Sequence, residues 1–287
     1  MSAVAPRVPD SPARIARSRR RRESKAGLPV GILLLVLLPL LLMPLGAVFV
    51  FALRGGLPGF WRAVRAPEAQ FALRFSLMIA FLTAGINAVL GTFAAYVLSK
   101  YRFRGERTLG IVVNLPVAIP TVVVGTSLLL LWGPIGLLGK WLDPLGLQPM
   151  FRPAGVLLAH LFVTFPYMLG TVKPLLDELE TTYEEAAYTM GAGRWTTFRL
   201  VLLPALRGGL VTGALLTFAH SLGEFGATVM VSGNLRLRTQ TAPLYIFAQF
   251  EAGDIAQANA LAAVLAALSF LIFFFLFRYT ARAKKAA

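Results

Sequence analysis

The sequence predicts an all-α integral membrane protein with about six transmembrane helices, both termini cytoplasmic, and a short helical elbow between spans four and five. Three observations carry that prediction. Of 287 residues, 57% are hydrophobic and 14% charged, with mean hydropathy +0.70; ordinary soluble domains have about 45–50% apolar and about 25% charged residues. Six apolar runs each reach the roughly 20 residues that cross a hydrocarbon core about 30 Å thick. With the N-terminus inside, 20 of the 28 lysines and arginines fall on the cytoplasmic side, the bias that sets orientation in a membrane.

Taken in order, residues 1–27 are rich in proline and arginine and lack apolar periodicity, which predicts a disordered basic tail. Leu28–Leu53 is the first span. It is longer than a signal-peptide core and reaches Arg54 without a small-residue cleavage site, so it reads as an uncleaved anchor. Pro39 and Pro44 should kink it. A loop from Arg54 to Gln70 opens with the turn signal Gly55-Gly56-Leu57-Pro58-Gly59. Phe71–Ser99 is span two, Lys100–Thr108 a short basic loop, and Leu109–Trp132 span three, broken by Pro116 and Pro120. In the loop to Arg152, Leu137, Leu138, Trp141 and Leu142 suit the membrane interface. Pro153–Val172 is span four and Gly208–Val231 span five; a loop covers Ser232–Ile255, Ala256–Phe277 is span six, and a basic tail follows.

Several chemistries are excluded by composition. No cysteine is present, so there is no disulfide and no thiol chemistry. The two histidines belong to no cluster with metal-ligand spacing. No glycine-rich phosphate loop occurs, so any ATPase must be another chain. The net charge of +15 could suggest nucleic acid, but Arg14, Arg17 and Arg19–Arg22 crowd directly before an apolar run. That placement reads as a topology signal, with some attraction to anionic lipid, and not as a nucleic-acid surface.

Polar residues inside the spans are the candidates for a pathway. Span five carries His220 and Glu224, one turn apart, and an ionisable group at that depth costs about 2.5–3.5 kcal/mol on insertion scales. The two can pair on one helix face, while Gly213, Gly223 and Gly226 permit close helix contact. Two readings stay open: this face, with Phe225, lines a translocation path or gate, or Glu224 is an interhelical anchor. Asn87, Asn114, Thr121, Thr126, Ser127, His160 and Thr164 read first as hydrogen-bonding glue between helices. The Pro116/Pro120 break is a pathway candidate, since disrupted backbone at depth must face protein or a wet cavity.

The elbow, Lys173–Arg207, is the longest polar interval between two apolar runs. Thr182-Tyr183-Glu184-Glu185 reads as a capping box, and Tyr183, Ala186, Ala187 and Met190 form an apolar stripe on one short helix. Gly191 and Gly193 should end that helix. A second short helix, with Trp195, Phe198 and Leu202 on one side, leads to Pro204.

The pattern Glu185-Ala186-Ala187, three residues, Gly191, nine residues, Val201, one residue, Leu203-Pro204 resembles the EAA loop of binding-protein-dependent ABC importer permeases. Valine at 201 replaces the usual isoleucine. The resemblance implies that this loop, Glu184 included, is a coupling helix docking on a cytoplasmic ATPase dimer. Tyr101-Arg102-Phe103-Arg104-Gly105, Leu115-Pro116, Ile119-Pro120-Thr121, Gly133-Pro134-Ile135-Gly136 and Gly223-Glu224-Phe225-Gly226-Ala227 are similar to the sulfate/molybdate branch, over about residues 69–277. His220 stands where that branch often has arginine, and Asn114 where aspartate is common.

What the resemblance implies is a permease domain over residues 28–278, between tails 1–27 and 279–287, in the inner (cytoplasmic) membrane. The chain would carry no catalytic residue and bind no cofactor or metal; ATP and Mg²⁺ would be used by the partner ATPase. A second permease subunit and a periplasmic oxyanion-binding protein are the other implied partners. The cargo would be a tetrahedral oxyanion, sulfate/thiosulfate first and molybdate/tungstate as the alternative. A stand-alone secondary transporter is the rival from another class, and it would favour inverted repeats that this sequence lacks.

Overall fold

A computed structural model describes residues 12–179 and 181–286, and it divides the chain into two units, residues 1–50 and 51–287. The first unit is occupied by helix α1 (Pro12–Ala52). This helix starts well before Leu28, so the arginine-rich stretch from Pro12 is helical where no regular structure was expected. Arginine and lysine are good helix formers, which suits the extension. Residues 1–11 of the expected tail lie outside the described residues.

In the second unit, proline opens helix after helix. Pro67 begins α3 (Pro67–Lys100), which follows a short α2 (Gly56–Val64), and Pro153 begins α8 (Pro153–Glu178); a first-turn N–H has no helical partner, so proline costs nothing there. Between α3 and α8 lie α4 (Glu106–Val112), α5 (Leu115–Ala118), α6 (Thr121–Trp132) and α7 (Gly139–Leu142). Then come α9 (Thr181–Thr189), α10 (Arg194–Thr197), α11 (Leu203–Leu222), α12 (Gly226–Ser232), α13 (Ala242–Glu251) and α14 (Ile255–Ala286). No strand occurs among the described residues.

Five stretches are long and apolar enough to cross a membrane: Gly31–Ala52, Pro67–Lys100, Pro153–Glu178, Arg194–Leu222 and Ile255–Phe275. The expected third span is instead a broken pair, Glu106–Ala118 and Thr121–Trp132, bent by 113°. Pro120 is the cause. A residue before proline is pushed out of the helical region, and Ile119 is extended at φ −96° and ψ 134°. Span five also differs from expectation: it begins at Arg194 and stops at Leu222 rather than running from Gly208 to Val231. Three expected loops contain helices, α2 within 54–70, α7 within 133–152 and α13 within 232–255. Leu57, Phe60, Trp61 and Val64 give α2 a helical apolar face that the glycines and proline around it obscure.

Helices α3, α8 and α11 form the central bundle, with Leu98, Met168, Val172, Leu176 and Leu206 buried between them. Small residues let the backbones close. A Cβ on Gly91 of α3 would sit 2.8 Å from Met168 Cβ, and one on Gly213 of α11 would sit 2.6 Å from its sulfur. A second cluster joins α6 and α12 to α8 through Val124, Val163, Ala227 and Val231. A third joins α3, α13 and α14 through Ala72, Tyr245 and Leu261, with Ser76 Oγ accepting the Ala242 N–H at 2.7 Å.

Candidate coupling elbow and translocation site

The elbow begins with α9. It starts at Thr181, so Thr182 lies inside the first turn rather than capping it, and Glu185 is exposed. No capping hydrogen bond from either forms among the described residues. The apolar stripe faces mostly outward: Tyr183 and Met190 are 59% and 82% exposed and Ala186 is exposed, while Ala187 is buried. Glu184 is the other inward residue. Its carboxylate meets Lys100 Nζ at 2.5 Å, tying α9 to the end of α3. Lys173 pairs with Asp177 at 2.7 Å on the last turns of α8. The basic loop after α3 and the elbow therefore occupy one end of the bundle, the end that the charge bias assigns to the cytoplasm.

Gly191 ends α9 in the left-handed conformation at φ +83°. Its N–H donates to Tyr188 O at 2.9 Å and the Ala192 N–H donates to Ala187 O at 3.0 Å, the bond pair of a Schellman cap. Gly193 does not share this role; it is extended at φ −76° and precedes α10. The second short helix is not separate either. A π-helical turn over Phe198–Leu202 joins α10 to α11, and its wider backbone accommodates Pro204, whose ring would otherwise meet the Leu200 carbonyl. Val201, Leu203 and Pro204 thus lie within one continuous stretch, Arg194–Leu222, of 29 residues, about 43 Å long at 1.5 Å per residue.

At the far end of that stretch the backbone breaks. Gly223, Glu224 and Phe225 separate α11 from α12, so Glu224 lies between helices and not on one. It is 4% exposed. Its Oε1 accepts the Ala227 N–H at 2.9 Å, at the start of α12, where a carboxylate meets the positive end of the helix. Its Oε2 lies 3.7 Å from His220 Nε2, an ion pair only when the imidazole is protonated. The His220 ring packs on Tyr167 at 4.5 Å, and Phe225 meets Phe247 of α13 edge-on at 5.1 Å.

The two broken helices abut. A side chain on Gly226 would collide with Thr121 and reach within 3.0 Å of the Val122 nitrogen, and one on Gly125 would lie 2.7 Å from Ala227 O. The structure thereby brings Pro120 and Glu224 to adjacent helix starts, while Pro116 is buried in α5. The elbow residues Glu184–Gly191 are not near them; α11 lies between.

His160, on α8, holds the break together. It is 1% exposed, its Nδ1 is 2.7 Å from Ser221 Oγ and its Nε2 2.9 Å from Thr228 Oγ1. One ring spans the end of α11 and the body of α12. Asn87 bonds across from α3 to Thr164 Oγ1 at 2.9 Å and Leu161 O at 3.1 Å. By contrast, Thr126 and Ser127 donate to carbonyls of their own helix, and Asn114, in the turn after α4, donates back to Gly110 O of α4. Sequence reasoning missed Lys100 and Thr228; the one signal for Thr228 was its place one helical turn beyond Glu224.

Residues 87–285 match the family described as "Binding-protein-dependent transport system inner membrane component". The chain is 36% identical over 257 residues to the sulfate transport system permease protein CysT of Escherichia coli (strain K12), covering 90% of this chain and 93% of that one. It is 37% identical over 240 residues to the sulfate transport system permease protein CysW of Synechocystis sp., covering 84% and 87%. Its fold is similar to that of a bacterial ABC transporter involved in the import of the acidic polysaccharide alginate, with TM-score 0.73, 16% identity, and 94% and 99% of the two chains covered. A family match over most of its length, a CysT relative matched nearly end to end, and an elbow presented beside a broken-helix bundle place this chain among the binding-protein-dependent inner membrane components, the permeases of ABC importers.

Proposed function

We propose that this chain is one permease half of an ATP-driven importer for sulfate or thiosulfate, and that its elbow receives the motion of a cytoplasmic ATPase. The observation that carries the mechanism is the continuity of Arg194–Leu222. The exposed α9 sits at one end of this rod and the Glu224 break at the other, so displacement of the elbow is delivered as displacement of the break. The CysT and CysW names of the relatives support the sulfate reading, and the existence of two such names supports a pair of unlike permeases. ATP and Mg²⁺ would act on the partner, since this chain supplies no phosphate loop.

The Glu224 geometry favours anchor over ligand for its carboxylate: a group already accepting from Ala227 and facing His220 is poorly suited to an anionic cargo. Movement of α11 against α12 would open the path beside it. The test is reconstitution of the chain with its partner permease, ATPase and binding protein in vesicles, following labelled sulfate. Uptake is expected only with ATP and binding protein present, with thiosulfate competing and molybdate competing weakly. Uptake by the purified chain alone would overturn the coupling reading; strong preference for molybdate would overturn the cargo.

A further inference from the structure

Beside the elbow, a groove of about 700 Å³ lies between the cytoplasmic half of α3 and the α10–α11 stretch. Val89 and Phe93 form one wall, and Trp195, Leu203 and Leu210 the other. No acidic residue lines it, and the Thr92 hydroxyl is already donated to Ala88 O at 2.5 Å. Such a face is too apolar to stand in water. Its mouth is different. Arg194 lies there with Tyr101, exposed and in no ion pair among the described residues.

We propose that this groove seats one acyl chain of an anionic phospholipid from the cytoplasmic leaflet, with the lipid phosphate on Arg194. The dimensions fit. From Ala88 to Tyr101 the groove follows about 20 Å of helix at 1.5 Å per residue, close to one leaflet of a bilayer about 40–45 Å thick. Apolar walls lie at hydrocarbon depth, while a tyrosine and an arginine sit at headgroup depth, where interfacial aromatics and cytoplasmic-leaflet anions meet them. Trp195 stacks on Phe198 at 5.7 Å, and both belong to the stretch that joins elbow to break. A filled groove therefore buttresses the lever. The inference rests on the cytoplasmic placement of the elbow in the reading above, and not on which anion is carried.

The chain has no cysteine, so a single Val89→Cys carries one bimane fluorophore at the deep end of the groove. A Phe81→Cys label, on an exposed position of α3 outside it, is the control. The assembled transporter is placed in bilayers containing phosphatidylcholine or phosphatidylglycerol with brominated acyl chains, which quench on contact. The phosphatidylglycerol is expected to quench the Val89 label about fivefold more effectively, the ratio one arginine near the surface supplies, with no preference at Phe81. Arg194→Gln should abolish the preference. Equal quenching by both lipids at Val89 would mean an ordinary lipid shell, and none by either would mean that a second permease chain covers the groove. Each of those results, or a preference that survives Arg194→Gln, overturns the proposal. Because the readout is fluorescence and not uptake, it fails separately from the transport mechanism.

Discussion

The elbow and the break sit at opposite ends of one helical stretch and solve opposite problems. At the break, polar groups are buried and satisfied within the chain: Glu224 is 4% exposed and His160 1%, with Ala227, Ser221 and Thr228 as their partners. At the elbow, apolar groups are exposed: Tyr183 and Met190 at 59% and 82%. A buried polar group in a membrane must find its partner in the same fold. An apolar cluster at an aqueous end finds its partner elsewhere. The difference separates what this chain completes alone from what it leaves for other chains, and it marks where substitutions should act on assembly and where on folding.

The largest effect should come at the elbow. Gly191→Pro replaces φ +83° with a ring fixed near −65° and removes the N–H that donates to Tyr188, so the cap that ends α9 is lost. The bundle does not depend on this turn, so insertion and melting of the membrane part should be retained while ATP-coupled uptake falls to background. Normal uptake by the variant would dismiss the elbow as a coupling element. Next comes the tether. Lys100→Ala leaves Glu184 inward-facing without its cation, an ion pair whose loss leaves a carboxylate uncompensated. A double-mutant cycle with Glu184→Ala, read by ATPase activity of the assembled complex, should recover most of that coupling. Additive losses would show that the contact at 2.5 Å positions nothing.

The elbow was largely legible in the sequence and the break only in part, for a physical reason. Gly191 and the short helix it ends could be read directly, because a glycine stop is a local property of the chain. What could not be read was the direction of the stripe. Periodicity finds an apolar face but does not say whether this chain or another covers it. At the break, apolar content ran on through Gly223–Phe225, and a hydropathy run does not register a helix stop made by glycine and a carboxylate. Pro120 was visible as an interruption, but its 113° bend depends on what receives the second half, here α12. The helix α2 was hidden by turn residues at its start, and α13 by its short length. Lys100 was counted for topology, and its bond to Glu184 needed the third dimension.

The smallest effect, and the sharpest on mechanism, should come from Glu224→Gln set against Glu224→Ala. Glu224→Ala removes the acceptor of the Ala227 N–H and leaves a buried donor unpaired, a loss of about 1–3 kcal/mol that thermal melting of the purified chain should register. Glu224→Gln keeps an oxygen in the same place. It can still accept from Ala227, so α12 stays capped and the melting temperature should hardly move. What it removes is the negative charge 3.7 Å from His220 Nε2. If that charge helps to keep α11 and α12 together at rest, the glutamine variant should raise the ATPase activity of the assembled complex in the absence of binding protein, because the break separates with less work. If Gln and Ala lower stability alike and neither changes basal ATPase activity, the carboxylate is a helix cap and the gate lies elsewhere along α6 and α12. Adding His220→Gln divides the cases further, since a charge pair predicts that the second substitution adds little to the first.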